Sequence, residues 1–126
     1  MWIEQNANPY GKRVGDCVVR ALSVALGQSW DVTYCGVCVK GFLMGDLPSA
    51  NAVWGAYLWD MGFRRKAIED KCPECYTVRD FCKEHPQGVY VLAISGHVVA
   101  AVDGHYIDTW DSGDCVPLYY WARSER

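Results

Sequence analysis

Apolar positions along this chain change their period near residue 88, from helical spacing upstream to alternation downstream. Behind Asp16-Cys17, the run Val18, Val19, Ala21, Leu22, Val24, Ala25 and Leu26 is interrupted only by Arg20 and Ser23. That pattern predicts a helix over Cys17–Leu26 buried on most sides. Asp16 is its expected N-cap, the carboxylate accepting first-turn N–H groups, and Gly27 its expected stop. Ser29 opens a second predicted helix with Trp30, Tyr34, Val37 and Cys38 as the core-facing stripe, and Gly41 to Pro48 reads as a loop rich in breakers. A third predicted helix runs from Ser49 to Met61, with Val53, Trp54, Tyr57, Leu58 and Met61 at helical intervals, and Gly62 ends it. Residues 63–76 hold much of the local charge and read as a solvated connection. Thr77 caps a short helix from Val78 to Glu84, which Pro86 breaks.

From Gly88 onward the period is two. Val89–Ile94 reads as a strand, and two further β-rich runs flank Asp103-Gly104, the signature of a hairpin with a two-residue type I′ turn. Val116 to Trp121 is the expected last strand. The first fifteen residues are polar and irregular in this reading, with turn signals at Asn8-Pro9 and Tyr10-Gly11. Helices first and antiparallel strands afterwards imply an α+β fold, with the cysteine helix packed on a C-terminal sheet.

Two of these elements carry chemistry. Cys17 stands at the positive end of a helix, where the dipole and free N–H groups lower a thiol pKa from its usual value of about 8.5. In the hairpin, a two-residue turn puts His97, Val99, Asp108 and Trp110 on one face, with Asp108 the diagonal neighbour of His97. A base and its orienting carboxylate need that relation. A three-residue turn would shift the alignment and bring Asp111 to His97 instead, which makes Asp111 the reserve orienter. His105 falls on the opposite face, and His85, at a helix end before Pro86, reads as exposed. Arg20, one turn after Cys17, has either Asp16, another buried acid or solvent as its destination.

The order of a cysteine opening a buried helix, a histidine on a later strand and an acid on the next resembles the papain-like cysteine peptidases. The motifs Gly-Asp-Cys-Val-Val-Arg-Ala-Leu and Gly-His-Val-Val-Ala-Ala-Val-Asp-Gly-His-Tyr-Ile-Asp-Thr-Trp-Asp look like those of small single-domain proteins of bacteria and their phages. The resemblance implies a papain-like domain over residues 1–126 in which Cys17 is nucleophile, His97 base and acid, and Asp108 orienter. Papain-like enzymes commonly place an oxyanion-hole glutamine six residues before the cysteine. Gly11 stands there in this chain, so the side-chain donor falls to Asn8 or Asn6, with Gln5 behind them.

Composition narrows the choices. At 126 residues the chain has the size of one ordinary domain with a core that needs neither disulfides nor metal. A net charge of −3 without any lysine- or arginine-rich run lacks the electrostatic footprint of a nucleic-acid binder. No apolar stretch approaches the roughly 20 residues needed to span a bilayer, and the N-terminus does not read as a signal peptide. A cytoplasmic protein with mostly reduced thiols is expected, since the seven cysteines are odd in number.

The rival constellation is Cys35-Gly36-Val37-Cys38 with Cys72-Pro73-Glu74-Cys75, two pairs with the spacing of a four-thiolate zinc site. The first pair lies within a predicted helix, and the gap between pairs exceeds the usual ribbon spacing of about 15–20 residues, so the leading expectation has no cofactor. Two functional classes follow. One is a thiol hydrolase acting on a peptide or isopeptide bond of a peptide or protein substrate; the other is a catalytically silent interaction module, or a small zinc-stabilised domain.

Overall fold

The computed structural model describes residues 1–69 and 74–123. The described elements, in chain order, are β1 (Trp2–Glu4), α1 (Cys17–Leu26), α2 (Trp30–Met44), α3 (Asn51–Asp60), β2 (Phe63–Ala67), α4 (Val78–Glu84), β3 (Val89–Ile94), β4 (His97–Val102), β5 (His105–Asp108) and β6 (Pro117–Arg123). The fold is mixed α+β, with the strands joined in one sheet of order β1-β5-β4-β3-β6-β2.

Alternation along the central strands divides the apolar residues between the two faces of that sheet. Val91, Ala93, Val98 and Ala100 join Leu22, Val53, Trp54, Leu58 and Phe63 in a core beneath α1, α2 and α3. Leu92, Val99, Ala101 and Tyr106 face the other way, onto Val78 and Phe81 of α4. Each large apolar side chain taken fully out of water contributes about 1.5–3 kcal/mol, so both layers add to stability. The hairpin turn matches its sequence signature: Asp103 and Gly104 both have positive φ, 49° and 81°, as a type I′ turn requires. Val102 pairs with His105 and Ala101 with Tyr106 across it.

Several expectations are corrected. The N-terminal residues are not wholly irregular, because β1 pairs in parallel with β5 and sets Glu4 beside Asp108. The sheet is therefore mixed, with one parallel edge. Residues 63–67 are not a solvated connection but β2, antiparallel to β6, with Arg65 opposite Trp121. Long cationic side chains on such an edge discourage pairing with further chains, which explains why the strand does not look like one. Helix α2 continues through Gly41 to Met44 and ends on Gly45, at φ 67°. Its buried residues are Thr33, Val37 and Gly41, whereas Tyr34 is exposed and stacks on Trp30 at 4.9 Å. Gly36 and Gly41 lie where this helix approaches its neighbours: a Cβ on Gly36 would stand 2.5 Å from Tyr57 Oη. Met61 is exposed, and α3 spans Asn51–Asp60 rather than starting at Ser49. His85 is half-buried, its ring stacked 3.9 Å from that of Phe81. Among the described residues, no helix is long and apolar enough to cross a membrane.

Candidate active site

Cys17 is the first residue of α1, and the open end of that helix meets the turn between β3 and β4. A cleft of about 490 Å³ opens there, lined by Cys17, His97, Asn51, Trp54, Leu118 and Tyr119 among others. The Cys17 backbone N–H points out of the first helical turn, where no i−4 carbonyl exists to take it. Asp16 occupies the N-cap position without capping: its carboxylate makes no bond to first-turn N–H groups. Charge decides the outcome, because Arg20 is one turn away and a carboxylate–guanidinium pair outweighs a neutral amide contact. Trp30 Nε1 and Asn8 Nδ2 donate to the other Asp16 oxygen at 3.0 and 3.3 Å.

His97 opens β4 and Asp108 closes β5. Both have the strand parity of Val99 and Tyr106, which face α4, yet they meet α1. Their position at the strand ends, beyond the last alternating core pair, leaves room for this. His97 Nε2 lies 2.6 Å from Asp108 Oδ2, which leaves Nδ1 as the nitrogen for Cys17. The Asp108 carboxylate is only 4% exposed and is fully engaged. Ser112 Oγ and the Thr109 N–H each donate to it at 2.8 Å, and an Arg20 nitrogen stands at 3.9 Å. Its backbone carbonyl accepts from Gln5 N–H at 3.0 Å and Trp2 Nε1 at 3.3 Å, so the missed strand β1 fixes the acid in place. Trp110 covers the imidazole, ring centroids 4.9 Å apart.

The electrostatics follow from this packing. Burial works to raise the Cys17 thiol, but the His97 side chain and the Val98 backbone N–H, helped by the charges of His97 and Arg20, outweigh it and hold the thiol below its usual range. For His97, burial works to lower the imidazole; the hydrogen bonds to Asp108 and Cys17 and their charges prevail and raise it to about 9. Opposite shifts of this kind favour thiolate and imidazolium together at neutral pH. By contrast, burial raises the Cys82 and Cys115 thiols.

The structure thus brings together Cys17, His97 and Asp108, and not the other sequence candidates. Asn8 gives its amide to Asp16, while Asn6 donates to Lys12 O at 3.2 Å and accepts from Asn8 N–H. Neither lines the cleft, whereas Asn51 and Ser49 do. Asn51 Oδ1 accepts from Trp54 Nε1 at 3.0 Å, which leaves its amide nitrogen for the cleft. Asp111 is bound by Tyr106 Oη and the Gly113 N–H, with Arg79 at 3.5 Å, and has no contact with His97. Cys35 and Cys38 lie on α2 and Cys75 on an exposed loop, while Cys72 is outside the described residues. Among the described residues, no three His, Cys, Asp or Glu side chains gather as a metal site. Sequence reasoning missed Ser112 and Asn51. The turn Asp108-Thr-Trp-Asp-Ser112 carried a signal for the first, since a serine four residues after a strand-ending aspartate can fold back on it. Compared with known proteins, the chain matches no family model, no curated protein and no solved structure.

Proposed function

We propose that this protein is a papain-like thiol hydrolase that cleaves a peptide or isopeptide bond through Cys17, His97 and Asp108. The observation that supports it is one imidazole set between a helix-N-terminal thiol and a buried, fully hydrogen-bonded carboxylate. The Cys17 thiolate attacks the carbonyl carbon, forming the C–S bond as the carbonyl electrons move to oxygen. The Cys17 N–H receives that oxygen, and with Asn8 and Asn6 engaged elsewhere, the Asn51 amide is the side-chain donor available in the cleft. Collapse of the adduct breaks the C–N bond while His97 gives its proton to the departing amine. Water then attacks the thioester, His97 takes its proton, and Cys17 leaves as thiolate. Asp108 holds the imidazole ring and tautomer throughout. A reduced thiolate of this kind suits a cytoplasmic setting.

The test is limited alkylation with one equivalent of iodoacetamide at neutral pH, followed by mapping of the labelled residue. Cys17 is expected to react first, and His97→Ala to slow that labelling at least about tenfold by removing the cation that stabilises the thiolate. Labelling of Cys35 or Cys75 while Cys17 stays inert in the folded protein would overturn the reading.

A further inference from the structure

The cleft beside Cys17 does not end at Tyr119. A second hollow of about 460 Å³ shares Asn51 and Tyr119 with it and continues between α3 and the β6–β2 edge, past Trp59 and Trp121 to Arg65. The walls of both hollows are apolar and aromatic for most of their length, and no carboxylate lines either one. Among the described residues, Arg65 is the one arginine or lysine lining the two hollows, set away from the His97 imidazolium at the catalytic end. Its guanidinium carbon lies over the Tyr119 ring, 4.0 Å from the centroid, and among the described residues no acid pairs with it. A guanidinium held over a ring face by cation–π attraction still has N–H donors with which to bind a carboxylate through two hydrogen bonds. Three other cations, by contrast, are paired with acids: Arg20 with Asp16, Lys40 with Asp60 and Arg79 with Asp114.

Direction and distance follow from the strands. His97 hands its proton to the leaving amine, so the leaving group lies on the side of His97 and Trp110, and the acyl part runs the other way, along Leu118 and Tyr119. Ala93 pairs with Val98 on one side and Tyr119 on the other. Two strand spacings of roughly 4.8 Å put the Tyr119 backbone roughly 10 Å from that of Val98, against which the thiol rests. An extended peptide advances about 3.3 Å per residue, so that span holds about three residues.

We infer that the substrate is an acidic peptide: its acyl side fills an apolar groove and carries an aspartate or glutamate about three residues from the scissile carbonyl, bound by Arg65. This rests on the hydrolase reading for the position of the scissile bond. Arg65 is a specificity residue, remote from the reacting atoms.

Peptidyl vinyl sulfones test it, each with alanine and leucine positions and one glutamate placed second, third or fourth from the electrophile, against glutamine and lysine at the same place. Labelling of Cys17 is followed by intact mass. With glutamate third or fourth, the rate is expected to exceed the glutamine analogue by about threefold to tenfold, an advantage that high salt removes. Arg65→Ala should bring the ratio to about one and Arg65→Glu should favour lysine, while iodoacetamide labels Cys17 equally fast in all three proteins. Equal rates for glutamate and glutamine, or a preference that survives Arg65→Ala, would overturn the inference. Failure of the hydrolase reading shows itself separately, as a Cys17 inert to iodoacetamide. In that event tryptophan-fluorescence titration of Cys17→Ser with the same peptides lacking the electrophile decides the matter: glutamate-dependent binding lost in Arg65→Ala supports the groove, and its absence refutes it.

Discussion

At the scale of single residues, the site is a problem in proton placement. His97 is raised to about 9 while Cys17 is lowered, so over the range between them the proton resides on imidazole and the sulfur is anionic. The histidine's folded value lies above its unfolded value of about 6.5, so its contribution to stability is complete below that pH and is lost as pH rises through about 9. For the cysteine the sign is reversed, and its contribution is lost as pH falls through the lowered folded value. Hydrolysis should therefore show an alkaline limb near pH 9, where His97 can no longer protonate the leaving amine. Asp108→Asn keeps the shape of the side chain but removes the charge that helps hold the proton. Its alkaline limb is expected to move toward neutrality, and Cys17 alkylation at pH 7 to fall with it. An unchanged limb, read from kcat/KM against pH or from imidazole shifts in NMR, would mean that Asp108 is not what raises His97. All three residues were legible in the sequence because each obeys a local rule: a helix N-terminus for Cys17, hairpin register for His97 and Asp108. Asn51 was not, since only the meeting of α3 with the β3–β4 turn brings it to the cleft.

At the scale of elements, the hairpin is the part that must be right for His97 and Asp108 to meet. A slip of one residue would turn Asp108 to the other face. The turn that fixes the register has Gly104 at φ 81°, a conformation that costs an L-residue about 1–2 kcal/mol. A Cβ there would meet nothing nearer than Cys82 O and Pro86 Cα at 3.4 Å, so strain and not collision is the main penalty. Gly104→Ala should lower unfolding stability by about 1–2 kcal/mol in urea titration with an unchanged m-value. A neutral result would show that the turn relaxes to another type. The elements best read from sequence are those with self-contained signals, such as α4, whose Thr77–Asp80 capping box is fully formed. Strands β1 and β2 escaped notice because they are short edge strands. Trp2–Glu4 offers no alternation long enough to count, and Phe63–Ala67 carries three consecutive cations. Tertiary pairing with β5 and β6 makes them strands, and no local pattern encodes those partners.

At the scale of the whole molecule, Arg20 joins parts of the chain that have little else in common. From the first turn of α1 it pairs with Asp16 at the end of the N-terminal loop and stands 3.9 Å from Asp108 at the end of the hairpin. Asp16 in turn accepts from Asn8 in that loop and from Trp30 at the start of α2. Loop, both helices and hairpin therefore share one charge network. The side chains of Arg20, Asp16 and Asp108 are only 12%, 7% and 3% exposed, so the network is not a screened surface pair. Arg20→Met keeps most of the packing of the stem and removes the charge, leaving the Asp16 carboxylate buried without its cation while Asp108 keeps His97. Such a loss typically costs about 3–5 kcal/mol, and the variant is expected to lose that much in urea unfolding. Adding Asp16→Asn removes the stranded charge while its neighbours Asn8 and Trp30 keep an acceptor. The double variant should accordingly be more stable than Arg20→Met alone, the non-additivity that marks a shared network. A loss below about 1 kcal/mol in the single variant, as for an exposed ion pair, would refute the network role. Because the charge of Arg20 also helps lower the Cys17 thiol, the same variant links fold to chemistry: Cys17 alkylation at neutral pH should slow even under conditions where the variant remains folded.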